Sequence, residues 1–387
     1  MDIFYILYTK SKIYVICSII EQKIMYNNHN YLNILRQLAN FKRITQFLLI
    51  SALFSFGYAQ EAEEEPAPTF AVAGSVDTYY RSTTSAPHSS FANYPGFAMG
   101  MANVIMSYEG EKSGFVADFV YGPRGADAVF NSPQLGAVSA NIINQLYVYY
   151  NVSDSFTLTL GNFNTFLGYE VISPVANFNY STSYMFSYGP FSHAGIKADF
   201  ALSENTSLML AIMNDTDYTE FQQVNPLTGD MNDYTFGAQL GLYGQYINFI
   251  SGDGYSHIDF TGGIDISESF FLGVNATSYS ADNNAGSFSG VALYPQLALS
   301  DSFTIGARYE TFSETDGGVG AIDANGVTAK SDLDNTSFTI TGSYTSGNFI
   351  FKPEFRVDTA SDPVYADGLL KYSDNIASFV VAAIYSF

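Results

Sequence analysis

The chain has 387 residues, 47% hydrophobic and 16% aromatic but only 13% charged, with a formal net charge of −22. So acidic a balance excludes nucleic acid as a partner, because binding phosphates needs clustered Lys and Arg. The single cysteine, Cys17, excludes an intrachain disulfide. No apolar run downstream of residue 60 reaches the ~18 residues of a membrane helix.

The first sixty residues read as targeting sequence. Asn40-Phe41-Lys42-Arg43 is a basic n-region, Phe47 to Phe56 an apolar h-region, and Gly57-Tyr58-Ala59 a small-x-small cleavage site. Residues 40–59 are therefore expected to be a signal peptide. Residues 1–39 lack steady periodicity and read as a mis-annotated upstream extension, with the true start at Met25 or later; an unusually long signal peptide is the alternative. Residues 60–68 are an acidic, proline-broken, flexible lead-in. A single domain is expected over 69–387.

From residue 69 apolar and polar residues alternate, the signature of strands. Phe70, Val72, Gly74 and Val76 share one face, and Ser75, Asp77, Tyr79 and Arg81 the other. A second segment runs from Phe97 to Tyr108, and a third from Phe115 to Tyr121 with Asp118 on the polar face. The fourth sets Leu146, Val148, Tyr150 and Val152 against Gln145, Tyr147 and Tyr149; the fifth sets Phe156, Leu158 and Leu160 against Thr157 and Thr159. The sixth, from His193, opposes Ile196 and Phe200 to Lys197 and Asp199, and Leu208, Leu210 and Ile212 mark the seventh. The second and seventh are the least clearly patterned.

Phe236, Leu240 and Leu242 mark the eighth segment, Ile247 and Phe249 the ninth, and Ile258, Phe260 and Ile264 the tenth, opposite Asp259 and Asp265. Phe270, Leu272 and Val274 form the eleventh, and Val291, Leu293 and Leu297 the twelfth. The thirteenth opposes Phe303, Ile305 and Tyr309 to Arg308 and Glu310. Phe338, Ile340 and Tyr344 make the fourteenth. In the fifteenth, Phe349, Phe351, Phe355 and Val357 face away from Lys352, Glu354, Arg356 and Asp358; the last carries Phe379, Val381, Tyr385 and Phe387.

Seven short polar connections punctuate these segments, among them Ser153-Asp154-Ser155, Ser267-Glu268-Ser269, Ser300-Asp301-Ser302 and Gly244-Gln245. Seven turns and two termini at one end require sixteen strands and eight longer loops at the other. The expected fold is therefore all-β: a transmembrane antiparallel up-and-down β-barrel of about sixteen strands, with short periplasmic turns and long extracellular loops. Pro295 and Pro353 fall inside strands, which predicts bulges or rim positions.

Parity assigns the faces. A basic residue facing lipid at mid-membrane costs about 2–4 kcal/mol, so Asp77, Arg81, Asp118, Lys197, Asp199, Arg308, Glu310, Lys352, Glu354 and Arg356 are expected to line the lumen. The third outer loop, from about Asn162 to Ser192, is the longest, and its Phe178, Tyr180, Tyr184, Phe186, Tyr188 and Phe191 need somewhere to pack. An inward fold would narrow the channel, with Tyr169 and Glu170 as constriction candidates.

Gly161-Asn162-Phe163 through Gly168-Tyr169-Glu170, then Asn177-Phe178-Asn179-Tyr180-Ser181-Thr182-Ser183 and Gly189-Pro190-Phe191, resemble the β-barrel porin family, type 2, also called OmpL-like. The resemblance spans residues 70–387 and is most specific over 161–200. It implies a barrel in the bacterial outer membrane with porin-like passage, and says little of the substrate.

Other motifs point to no cofactor or metal. His88, His193 and His257 read as solvated loop histidines, and Ser192-His193 or Ser256-His257 would carry a hydrolase only if the fold turned one onto the other. Gly317-Gly318-Val319-Gly320 reads as a flexible loop tip. Asp215, Asp217, Glu220, Asp230 and Asp233, and Asp323, Asp332 and Asp334, read as solvated acidic surface. From residue 60 onward nine Lys and Arg stand against 35 Asp and Glu, a balance of −26, which would concentrate cations at a low-dielectric opening. The function expected is passive diffusion of small hydrophilic solutes or ions with cation preference. The alternatives are a non-conducting adhesion or structural barrel and an outer-membrane hydrolase. The partners expected are outer-membrane lipids and the solutes, with a homotrimer as the assembly to test.

Overall fold

The computed structural model describes residues 68–83, 94–129, 142–221, 233–316, 318–323, 326–328, 330, 332–367 and 371–387. The extension and signal peptide expected over 1–59, the lead-in as far as residue 67, and His88, Asp230 and Gly317 lie outside the described residues.

Sixteen antiparallel strands close into one barrel, each bonded to its neighbours in sequence. The first eight are β1 (Thr69–Thr83), β2 (Gly96–Glu109), β3 (Ser113–Tyr121), β4 (Ile143–Ser153), β5 (Phe156–Asn164), β6 (Ser192–Ser203), β7 (Thr206–Met213) and β8 (Thr235–Leu242). The rest are β9 (Gln245–Gly252), β10 (Tyr255–Asp265), β11 (Phe270–Ala281), β12 (Ser287–Ala298), β13 (Phe303–Thr315), β14 (Leu333–Ser346), β15 (Phe349–Ala360) and β16 (Asn375–Ser386). β1 and β16 close the sheet, from Ser75 opposite Ser386 to Thr83 opposite Ser378.

All seven short turns form where the polar punctuation stands. In two of the Ser-x-Ser turns the first hydroxyl accepts the following backbone N–H groups: Ser267 from Ser269 (3.4 Å) and Phe270 (3.1 Å), Ser300 from Ser302 (3.3 Å) and Phe303 (3.1 Å). The turn between β8 and β9 is Tyr243-Gly244, both at positive φ (52° and 78°), one residue earlier than the sequence pairing suggests. Two positive φ values in a two-residue connection match the twist of the flanking strands.

Face parity holds around the wall. Phe338, Phe355, Phe379 and Tyr385 are exposed toward lipid, and Arg308, Glu310, Lys352, Glu354 and Arg356 are buried inside. The prolines do not behave as expected. Neither sits at a bulge or a rim: Pro295 and Pro353 keep the register of their strands, pairing with Leu272 and Val381. Pairing toward the other neighbour lapses at the ring and resumes unshifted. The registers set small residues opposite, Ala307 and Gly342, so each strand accommodates a pyrrolidine ring without inserting a residue.

True bulges occur elsewhere. One extra residue in β2 separates Val76–Ala102 pairing from Thr78–Met99, and Met101 N donates to Asp77 Oδ1 (2.8 Å) there. Another, in β4, separates Asp118–Gln145 from Phe119–Ile143 and turns both Asn144 and Gln145 inward. Parity makes one prediction. Phe355→Arg, at mid-strand on the lipid face, costs about 2–4 kcal/mol of insertion and abolishes the heat-modifiable gel shift of the folded barrel, whereas Ser302→Arg in an exposed turn leaves that shift intact.

Candidate functional site

The third loop, residues 165–191, joins β5 to β6 and folds into the barrel. It has little regular structure: one short helix, α2 (Tyr184–Tyr188), is capped by Ser183, whose Oγ accepts from Phe186 N at 3.0 Å. An irregular segment at membrane depth must find partners for its backbone N–H and C=O groups inside the protein. The inner wall supplies them, and the chemistry is sorted by sign.

The carboxylates take the loop's N–H groups. Glu310 accepts from Tyr184 N (3.0 Å) and Met185 N (2.9 Å), and Glu354 from Tyr180 N (2.6 Å) and Ser181 N (3.0 Å). The cations take the carbonyls. Arg308 donates to Ser181 O (2.6 Å) and Thr182 O (3.0 Å), Arg356 to Thr182 O (2.7 Å), and Lys352 to Pro174 O (2.8 Å) and Asn177 O. Glu170, the one carboxylate of the loop itself, meets Arg308 at 2.6 Å and accepts from Ser183 N at 2.6 Å. Asp77 accepts from the Tyr180 hydroxyl, while Arg124, on helix α1 (Pro123–Ala128), donates to Tyr180 O at 3.0 Å. At the far end, Asp217 accepts from Phe191 N (2.6 Å) and Ser192 N (2.9 Å).

The large side chains of the loop dock on glycines. A Cβ built on Gly306 would stand within van der Waals overlap of Phe178; Gly273 meets Tyr169, Gly290 meets Met185, Gly237 meets Phe166, and Gly100 meets Tyr180. All five glycines lie on the inner face of strands. Tyr169 stacks on Tyr294 (centroids 4.2 Å apart, planes at 20°), and Tyr180 packs against Tyr79, Val380, Ala382 and Ile384. Phe178, Tyr180, Tyr184 and Phe186 are all buried, which answers the need for packing seen in the sequence.

Of the residues expected to line the lumen, the structure brings seven together around the loop: Asp77, Glu170, Arg308, Glu310, Lys352, Glu354 and Arg356. Tyr169, expected at the constriction, is buried in the aromatic cluster with Tyr294. Arg81 points inward to Ser378 Oγ (3.3 Å). Lys197 and Asp199 pair with each other at 2.8 Å on β6, away from the cluster. Asp118 lies on β3 among amides: Asn144 Nδ2 donates to it at 2.7 Å and Asn103 Nδ2 at 3.4 Å.

Sequence reasoning missed Asp259, which accepts from Gly168 N (2.9 Å), Asn248 Nδ2 (2.9 Å) and Asn275 Nδ2 (2.6 Å), and it missed the glycine seats. Strand parity alone places both on the inner face and could have found them. Two expectations are corrected. His193 and His257 are buried, not solvated; each sets Nε2 against a threonine hydroxyl, Thr165 (3.0 Å) and Thr277 (2.6 Å), and each ring packs against aromatics. In the seventh loop Gly320 is exposed, while Ala321 and Ile322 just beyond it are fully buried and donate their N–H groups to Glu314, with Val319 packed beside them. Asp217 likewise serves the loop junction instead of forming part of a solvated surface.

A closed sixteen-strand barrel with a lipid-facing apolar band, short turns at one end and a loop pinned across its lumen is the architecture of an outer-membrane porin. The family described as "Putative beta-barrel porin-2, OmpL-like" matches residues 69–387, and the chain belongs to it. It is thus a protein of the bacterial outer membrane. Among solved structures it is similar to the outer membrane channel DcaP of Acinetobacter baumannii (12% identity, TM-score 0.53, covering 85% of this chain and 100% of that one). In-vitro folded OmpT of Vibrio cholerae matches at 12% identity and TM-score 0.49, covering 85% and 100%. OprD of Pseudomonas aeruginosa matches at 9% and 0.42, covering 82% and 95%. At 12% identity the first likeness speaks for the fold alone. No curated protein matches the sequence.

Removing one member of a buried ion pair costs about 3–5 kcal/mol, comparable with the whole stability of a small domain but set here in a loop, while the wall is held by its own ladders. Arg308→Ala is therefore expected to free the loop without opening the barrel. Limited proteolysis should then cut within residues 171–183, with the heat-modifiable gel shift retained; a variant as resistant as the parent contradicts the anchoring.

Proposed function

We propose that the protein is a passive porin that admits small hydrophilic solutes and ions, with a preference for cations. The observation that carries this reading is the third loop, pinned across the lumen by Arg308, Glu310, Lys352, Glu354 and Arg356. A segment bonded to the wall at so many points has the rigidity a size filter needs. Glu170 and the wall charges set the position of the constriction chiefly by holding the loop.

Cation preference follows from charge. The outer connections carry Asp127, Asp215, Asp253, Asp282, Asp316, Asp323 and Asp362 against few basic residues. Acidic groups around a low-dielectric opening raise the local concentration of cations and repel anions. The assembly proposed is a homotrimer, and the segments upstream of residue 69 are proposed to be an upstream extension, a signal peptide and a lead-in.

The second reading is a non-conducting structural or adhesion barrel. It is favoured by the tightness of the loop's packing: Tyr180, Tyr184, Arg308 and Glu310 have no exposure at all. Planar-bilayer recording separates the two. A porin shows open steps, and deletion of residues 172–182 enlarges them; silence of both proteins supports the structural barrel. Reversal potentials in a salt gradient should show cation preference at 0.1 M salt that weakens as the Debye length shrinks from ~10 Å. Anion preference at low salt would overturn the charge argument. Gly306→Val, which removes the seat of Phe178, should raise conductance as the deletion does, though by less.

A further inference from the structure

The third loop leans to one side. Against β13–β15 it is held by the hydrogen bonds described above, but on the side of β1–β5 a cavity of about 150 Å³ remains. That is room for several waters, each needing on the order of 10–15 Å³. The wall side of the cavity is mixed: the polar side chains of Ser75, Asn103, Asp118, Asn144, Gln145 and Asn164 stand among apolar Met101, Ile105, Val120 and Phe387. The loop side is the stretch from Val171 to Val175, which bends at Ile172 and turns from Pro174 on; Val171, Ser173 and Val175 are partly exposed while Ile172 and Pro174 are buried.

The wall here is built for the purpose by a bulge. The extra residue in β4 turns two successive amides, Asn144 and Gln145, into the barrel. Ser75 Oγ donates to Asn103 Oδ1 (2.7 Å), and Asn103 and Asn144 both donate to Asp118, which joins four side chains into one hydrogen-bonded strip. Among the described lining residues Asp118 is the one with an ionisable side chain, and no Lys or Arg accompanies it. This contrasts with the β13–β15 wall, where basic and acidic residues are both committed to loop backbone. Carboxylate, amide and hydroxyl oxygens can replace part of the hydration shell of a small cation, and offer an anion little.

We propose that small monovalent cations cross the barrel on one side of the third loop, through this cavity, and that Asp118 is the carboxylate that selects them. The proposal rests on the porin reading and specifies its path. It separates the contribution of Asp118 from that of the outer loops. A field set by surface carboxylates is screened within ~3 Å at 1 M salt, whereas a carboxylate beside the ion in a narrow cavity still acts.

The test is planar-bilayer recording on the full barrel in a Cys17→Ser background. Ser173→Cys, treated with a trimethylammonium methanethiosulfonate reagent, should lose conductance. Ser337→Cys, fully buried on the β14 wall, should not respond. The parent should retain some cation preference at 1 M potassium chloride, and Asp118→Asn should lower the cation-to-anion permeability ratio there by about two-fold or more. Gel-shift migration checks that Asp118→Asn folds, with Asp118→Ser as the second variant. A silent parent overturns the porin reading itself. A conducting parent whose Ser173→Cys current ignores the reagent, or whose Asp118 variants keep the parental reversal potential at 1 M salt, overturns this path alone.

Discussion

The structure depends on one constraint: a long irregular segment lies inside a membrane barrel, and every backbone group it carries needs a partner. Burying two charges normally costs more in desolvation than their attraction returns. The β13–β15 wall offsets that cost by giving each charge several backbone partners. Glu310 and Glu354 each receive two loop N–H groups, and Arg308 bonds two loop carbonyls besides Glu170. Charge-assisted bonds of this kind are worth ~1.5–3 kcal/mol apiece, so the wall does for the loop what a helix or a ladder does for ordinary chain. The glycine seats complete the arrangement, since the bonds are reachable only if Phe178, Tyr169 and Met185 can lie flush with the sheet.

Much of the fold was legible because a membrane barrel writes each face into alternate residues. In β13 and β15 the contrast between Phe or Ile and Arg, Glu or Lys leaves one parity, and the structure has it. β2 and β7 were blurred for different reasons. In β2 the extra residue at Gly100-Met101 breaks the period of two. In β7 the inward residues are Met209, Ala211 and Met213, as apolar as the lipid face, because they pack on Phe163, Phe166 and Leu167. Local alternation cannot report a lumen filled with side chains.

The candidate site was half legible. Parity could say that Arg308, Glu310, Lys352, Glu354 and Arg356 point inward, but not whether they meet water or protein. Their partners lie 125 to 178 residues away in sequence, a pairing that no local pattern encodes. The histidines misled for a related reason. His193 and His257 sit at strand starts, where exposure is a fair expectation, but Phe166 of the third loop packs over His193 and Phe288 of β12 over His257. What the sequence did carry was the need: eight aromatics between residues 165 and 191, in a loop too long to leave them in water.

The same chemistry on opposite walls has two outcomes, and the path of the loop explains why. Asp118 and Asp259 are each flanked by two asparagines from neighbouring strands, Asn103 with Asn144 and Asn248 with Asn275. Asp259 spends its remaining capacity on Gly168 N, where the loop leaves β5 and turns across the barrel. Asp118 faces the stretch 171–175, which is already drawn toward the far wall by Lys352 at Pro174 O. The stretch 171–175, rooted near β5 and drawn toward the far wall, leaves a gap beside the asparagine–aspartate strip, although Tyr180 further along the loop returns to Asp77 and Gly100 on β1 and β2. The opening is therefore a consequence of where the loop is fastened, and the hydrogen-bonded strip of Asp118 and its asparagines is the part of the wall left facing it.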